Sequence, residues 1–158
     1  MESFERIAAR AENREVQFER EINCKIYSLY NERTLVMTEM HDNYHKIKLA
    51  FITDSSYRIL EIAASMEKVP FESCRNALPS VERLAGTGVF EGGVLRKIKH
   101  IIPRNEGCTH LYEMLESAFR ALFAASQKKS DAEAGKEPRY IAKRFPSLVG
   151  TCISFDRS

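Results

Sequence analysis

Between Ile22 and Met66 the chain alternates apolar and polar side chains in four short runs, and after Pro70 that alternation stops. Ile22, Cys24 and Ile26 interleave with Asn23, Lys25 and Tyr27. A period of two belongs to a strand with one buried face, because successive side chains of a strand point to opposite sides. Asn31-Glu32-Arg33 reads as a polar turn, after which Leu35 to Met40 forms a second strand. His41-Asp42-Asn43-Tyr44 makes the next turn, and His45, Ile47, Leu49 and Phe51 share one face of a third strand. Asp54-Ser55-Ser56 turns the chain into a fourth, Tyr57 to Met66. Connections this short join antiparallel neighbours, so this half predicts a four-stranded meander.

From Pro70 onward apolar residues recur every three or four positions, the spacing of one helix face. Phe71, Cys74, Ala77, Leu78, Val81 and Leu84 form the first stripe. Pro70 suits the first helical position, where its missing N–H is not needed, and Pro79 should kink or divide the helix. Gly86 and Gly88 end it, and Gly92-Gly93 mark a second break. Val94, Leu95, Ile98, Ile101 and Ile102 make a short helix stopped by Pro103. The best-patterned helix follows, on Leu111, Met114, Leu115, Ala118, Phe119 and Leu122. Strands first and helices afterwards predict an α+β fold, an antiparallel four-stranded meander followed by a helical half. Residues 1–126 are read as a single domain. Residues 1–20 are charge-rich, with one amphipathic turn at most on Phe4, Ile7 and Ala8. Residues 127–138 are polar and read as a flexible linker, and the tail 139–158 regains apolar residues and is expected to dock back on the domain.

A length of 158 residues with 44% apolar content suits one domain with a real core. The net charge of +2 supplies no strong field, so neither nucleic acid nor a membrane surface is the expected partner. Arg96-Lys97-Ile98-Lys99-His100 is a local basic run that reads as a solvated helix face. The start, Met1-Glu2-Ser3-Phe4-Glu5-Arg6, lacks the apolar centre of a signal peptide, and no stretch approaches the roughly 20 apolar residues of a membrane span. Cys24, Cys74, Cys108 and Cys152 are widely spaced with no C-x-x-C pair. They are expected to be reduced thiols, and the protein cytoplasmic.

Three places hold residues able to do chemistry. Cys74 falls in the first turn of the helix after Pro70, and Cys108-Thr109-His110 at the start of the longest helix. The third place is the turn from His41 to His45, which contains Asp42. A thiol near a helix N-terminus meets unpaired N–H groups that favour the thiolate. With the Asp42 carboxylate and the imidazoles of His41, His45 and His110, these thiols make a mixed donor set of the kind zinc or iron accepts. Plain packing competes with that reading. Cys74 lies on the apolar stripe, Cys24 alternates with isoleucines, and His45 opens an inward-facing row. Cys108 and His110 stand off the stripe that Leu111 begins, so packing explains them least. Phosphate loops, dinucleotide fingerprints and nucleophile elbows are absent; Gly86-Thr87-Gly88 follows no strand and reads as a helix stop.

Two resemblances rest on these residues. "VPFESCRNA", "LAGTGV" and "GCTHLYEML" resemble a bacterial family of uncharacterised function with a Gly-Cys-Thr-His-Leu signature, from about Arg14 to Ala125 and again at "FPSLVGTCIS". More distantly, the meander followed by Cys74 and then Cys108 and His110 at successive helix starts resembles the NifU/IscU-type iron–sulfur scaffolds. That likeness implies a metal pocket in which Cys74, Cys108 and His110 are ligands. The first scaffold cysteine maps to His41–His45, where this chain offers Asp42 and His45, so a third thiolate would have to come from Cys152. The leading expectation is a domain that binds zinc, or an iron–sulfur cluster as a carrier, through Cys74, Cys108, His110, Asp42 and His45, with a protein partner or a metal donor or acceptor. Two others stand beside it: a metal-free thiol enzyme or small-molecule-binding domain using a Cys/His pair, and a structural or partner-binding module.

Overall fold

From Thr34 to Asp42 every even-numbered side chain is buried, and the odd ones are exposed or half-buried. This is the alternation read in the sequence, carried two residues further. The computed structural model describes residues 3–130 and 149–150. Among them, β1 (Arg20–Ser28), β2 (Thr34–Asp42), β3 (Lys46–Thr53) and β4 (Ile59–Lys68) form one sheet in the order β1-β2-β3-β4. Each neighbouring pair is antiparallel, as the short connections predict.

Two turns differ in extent from the sequence expectation, and each for a local reason. β2 runs through Asp42, because the Asp42 N–H donates to the His45 carbonyl at 3.0 Å and its carboxylate accepts from the N–H groups of Tyr44 and His45, both at 2.8 Å. The turn is therefore Asn43–His45, and Lys46 opens β3. After β3, the Asp54 carboxylate accepts from the N–H groups of Ser56 and Arg58, and Tyr57 takes φ +58°. This turn occupies the residues through Arg58, so β4 starts at Ile59. Thr53 pairs with Ile59 but Ile52 with Glu61, which leaves Leu60 as an extra residue. That bulge shifts the inward row from Ile62 and Met66 to Ile59.

The second half departs further. Glu72–Leu84 is wound as a 3-10 helix, with Phe71 in the capping position and Pro70 outside it. Pro79 sits inside the segment; it lacks an N–H and its ring crowds the carbonyl four residues back, so an α-helical ladder cannot run through it. The buried stripe survives the tighter winding, on Ala77, Val81 and Leu84. Gly86 then takes φ +83°, a conformation that only glycine adopts at no steric cost. There the chain turns back to pair with the start of β4: Gly86 N–H donates to Ile59 O, Ile59 N–H to Thr87 O, and Val89 N–H to Tyr57 O. Helix α1 (Phe4–Ala8) is a single turn that buries nothing. Helix α2 (Val94–Ile101) starts after Gly93, itself at φ +76°, and gives way at Ile102 before Pro103. Helix α3 (Thr109–Ser130) continues four residues beyond the boundary read from the sequence. The rest of the expected linker and all but two residues of the tail, Cys152 among them, lie outside the described residues.

α3 lies across β1, β2 and β3, and the 3-10 segment lies on β4. The core between these layers contains Val36, Met40, Ile47, Leu49 and Phe51 of the sheet and Leu111, Met114, Leu115, Ala118 and Leu122 of α3. Phe51 meets Phe119 edge-on, with centroids 5.7 Å apart. Phe51 is 1% exposed, so its truncation leaves a cavity that this tightly bounded layer cannot close. Phe51→Ala is expected to cost about 3–5 kcal/mol. Urea unfolding should show a lower midpoint with an unchanged slope.

Candidate functional site

The inward rows of β1 and β2 end in a charged pair. Arg20 stands opposite Asp42 in the register, one step beyond Ile22 and Met40. The Asp42 side chain is wholly buried, yet its carboxylate is surrounded by donors. Arg20 gives it Nε at 2.8 Å and Nη2 at 2.7 Å, and the Tyr44 and His45 backbone N–H groups and the His45 ring Nδ1 complete the set, the last at 2.9 Å. Burial alone would push the Asp42 carboxyl up, but these donors outweigh it and hold the group well below the usual carboxylate range. Asp42 is therefore an anion at any physiological pH.

Arg20 also reaches α3. Its Nη1 donates to Glu113 Oε2 at 3.0 Å, and its Nη2 lies 3.3 Å from Nε2 of His110. A guanidinium only donates, so Nε2 of His110 must accept. Burial first, and then the neighbouring His45 ring and the Arg20 guanidinium, keep the His110 pKa below the ordinary histidine value, so the ring is neutral at pH 7. A neutral ring with Nε2 accepting carries its proton on Nδ1. That Nδ1–H lies 3.6 Å from Cys108 Sγ. Asp42 orients the other ring: an anionic carboxylate requires His45 to donate from Nδ1, so in the neutral ring Nε2 is the lone-pair acceptor. The two rings lie against each other, centroids 4.0 Å apart.

Of the five residues singled out from the sequence, four line a single cleft of ≈ 300 Å³: His45, Cys74, Cys108 and His110. Asp42 stands behind His45 and turns its oxygens to Arg20, His45 and the backbone instead of to the cleft. His41, on the outward row, lines a different cleft with Glu19, Glu21 and Lys68. Cys24 is half-buried on the inward row, its sulfur 3.5 Å from the Thr38 hydroxyl, and His100 is exposed, both as packing and solvation predict.

The matched family model covers the whole of this arrangement, from residue 8 to residue 123. The chain belongs to a family of proteins of unknown function, DUF2889. Its matched span takes in the meander, both helix starts and every residue of the site, in keeping with the resemblance to a family of uncharacterised function. No curated protein and no solved structure matches the chain, so nothing in these comparisons supports the more distant likeness to NifU/IscU scaffolds.

The site in this chain thus carries a cluster of thiols and imidazoles, but not a ready cation cage. Among the described residues no group of three or more His, Cys, Asp or Glu side chains is arranged to hold a metal ion. Asp42 has its oxygens engaged, and both nitrogens of His110 face neighbours. Two members of the network, Arg20 and Glu113, were not picked out from the sequence. The signal for Arg20 was present: counting back by twos from Ile26, Cys24 and Ile22 puts Arg20 on the inward face. Glu113 follows His110 by three, so both lie on one side of α3.

Because folded His110 holds a proton less readily than an unfolded histidine, the unfolded chain takes up that proton first as pH falls below about 6.5. The stability linked to neutral His110 is present above that pH and is lost as pH falls toward the lowered folded value. Melting temperature should therefore drop between pH 7.5 and 5.5. His110→Gln should flatten part of that slope in circular-dichroism melts; an unchanged slope would contradict the assignment.

Proposed function

We propose that the cleft is a thiol–imidazole reaction site for a small molecule, with Cys108 as the reacting sulfur and His45 as the base. The observation that carries this reading is the fixed tautomer of His45. Asp42 takes its Nδ1–H, so in the neutral ring Nε2 is the proton acceptor, and His45 lines the same cleft as Cys108. In a reaction the Cys108 S–H proton passes to His45 Nε2, directly or through one water, as sulfur bonds to an electrophilic carbon. His110 cannot take that proton, because its Nδ1 already bears one. It instead directs an N–H at the sulfur and supports the negative charge that develops there. Asp42 and Arg20 are positioning residues that act through the two rings. The three described cysteines are free thiols, which fits a reducing compartment such as the cytoplasm.

A second reading keeps the same cleft and makes it a zinc or iron–sulfur site, with metal exchanged with a donor or acceptor protein. One observation favours it: a carboxylate bonded to the far nitrogen of an imidazole is the usual support of a metal-binding histidine, and Asp42–His45 has that form. Cys74, Cys108 and His45 would be ligands, His110 would have to leave Arg20 to join them, and Asp42 would stand behind.

Peptide-resolved mass spectrometry of iodoacetamide labelling separates these readings. In the thiol reading the protein purified anaerobically carries no stoichiometric metal. Cys108 is alkylated faster than Cys24 without a chelator, and His45→Asn slows it by about 10²-fold or more. One equivalent of zinc or iron, lost on Cys74→Ser or Cys108→Ser, with thiols that react only after chelation, would sink the thiol reading and favour the metal site. Equal, slow labelling of Cys24 and Cys108 in metal-free protein would leave only packing.

A further inference from the structure

Cys74 and Cys108 line a second cleft as well as the first, so the two thiols stand between two spaces of different character. The first, ≈ 300 Å³, is walled by Ile47, Met66, Val69 and Phe71 around the two imidazoles, and among the described residues no Asp, Glu, Lys or Arg side chain lines it. Phe71 is 69% exposed, an aromatic ring left at the surface on the wall of this cleft. The two guanidiniums that bond residues of its wall are committed, Arg20 to Asp42, Glu113 and His110, and Arg75 to Glu72 and the Met66 and Glu67 carbonyls. An ionised group placed against these walls would give up part of its water without meeting an uncommitted counter-charge, so the space suits an uncharged apolar group. At about 30 Å³ per water it holds roughly ten water-sized volumes.

The second cleft, ≈ 290 Å³, is lined by Ser73, Asn76, Asn105 and Glu106 beside the thiols. Glu106 is paired with Arg83 at 2.5 Å, which neutralises it. The Asn76 and Asn105 amides make no hydrogen bond to any described group, so each retains two donors and an acceptor for a ligand. This space suits a neutral arm rich in amide or hydroxyl groups.

Resting on the thiol–imidazole reading, we propose that the substrate is a neutral acyl compound whose reactive carbonyl lies at the cysteines, between an apolar acyl group in the first cleft and an amide-bearing leaving arm in the second. The Cys108 sulfur bonds to the carbonyl carbon, the bond from that carbon to the leaving arm breaks, and the thiol proton travels by way of His45 Nε2 to the departing atom. The product is a Cys108 acyl thioester and the free arm.

Three probes test this on the full chain: S-(2-acetamidoethyl) thiobenzoate has both parts, S-ethyl thiobenzoate lacks the amide arm, and S-(2-acetamidoethyl) thioacetate lacks the apolar body. Acylation of Cys108 is followed by intact mass and located by peptide mass spectrometry. The complete probe is expected to react with saturation and at least tenfold faster than either partial one. Phe71→Ala should remove most of the advantage due to the benzoyl group. Asn76→Ala with Asn105→Ala should remove that due to the arm. All three residues are exposed, so the variants should retain the wild-type circular-dichroism spectrum. Equal rates for the three probes, or none of them acylating a Cys108 that iodoacetamide still labels rapidly, would overturn the substrate class and leave the thiol–imidazole reading standing. A Cys108 no faster than Cys24 toward iodoacetamide would overturn both.

Discussion

The buried carboxylate of Asp42 sets the arrangement of everything around it. A charge taken wholly out of water is tolerated only when its lone pairs are met, and Asp42 meets them with a guanidinium, two backbone N–H groups and an imidazole N–H. Removing one partner from such a buried pair costs about 3–5 kcal/mol. Each donor comes from a different kind of structure. Arg20 belongs to β1, the N–H groups to the turn after β2, and Arg20's Nη1 and Nη2 extend the network to Glu113 and His110 on α3. The carboxylate therefore ties the sheet edge, the turn and the long helix together. The two ring orientations, and so the chemistry open to the cleft, follow from its charge.

Much of this was legible in the pattern of side chains. The period of two gave the meander and its inward rows, and carrying it one step further at each end brings Arg20 and Asp42 face to face. The start of α3 at Cys108 and His110 was equally plain, because both stand just ahead of an apolar stripe. The 3-10 winding of Glu72–Leu84 was not, since a stripe of Ala77, Val81 and Leu84 serves either kind of helix and only Pro79 argued against the α form. Nor was the separation of roles between the two histidines. Periodicity says which side of a strand or helix a ring occupies, but its tautomer depends on an arginine 90 residues away in sequence.

Local backbone geometry brings the two helix starts close enough to share a cleft. A Cβ on Gly107 would lie 2.7 Å from Ile102 Cγ2 and 2.8 Å from the Tyr112 hydroxyl, well inside contact distance. Glycine is what allows the chain after α2 to pass this close to the first turn of α3. The Tyr112 hydroxyl in turn donates to the Ile102 carbonyl and clamps the end of α2 against α3. Cys108, the next residue along, is held against that closed turn. The opposite wall comes from Cys74, whose N–H donates to the Phe71 carbonyl at 3.0 Å.

These constraints separate residues that look interchangeable in the sequence. His45 and His110 are both half or more buried and both line the cleft, yet only His45 has an uncommitted nitrogen. Cys74 and Cys108 both border the two spaces, yet only Cys108 has an imidazole N–H directed at its sulfur. A metal ion would have to undo that order, because His110 could ligate only after giving up either Arg20 or its Nδ1 proton. A reacting thiol uses the order as it stands: one ring accepts a proton, the other supports charge on sulfur, and the anion behind them keeps the two from exchanging parts.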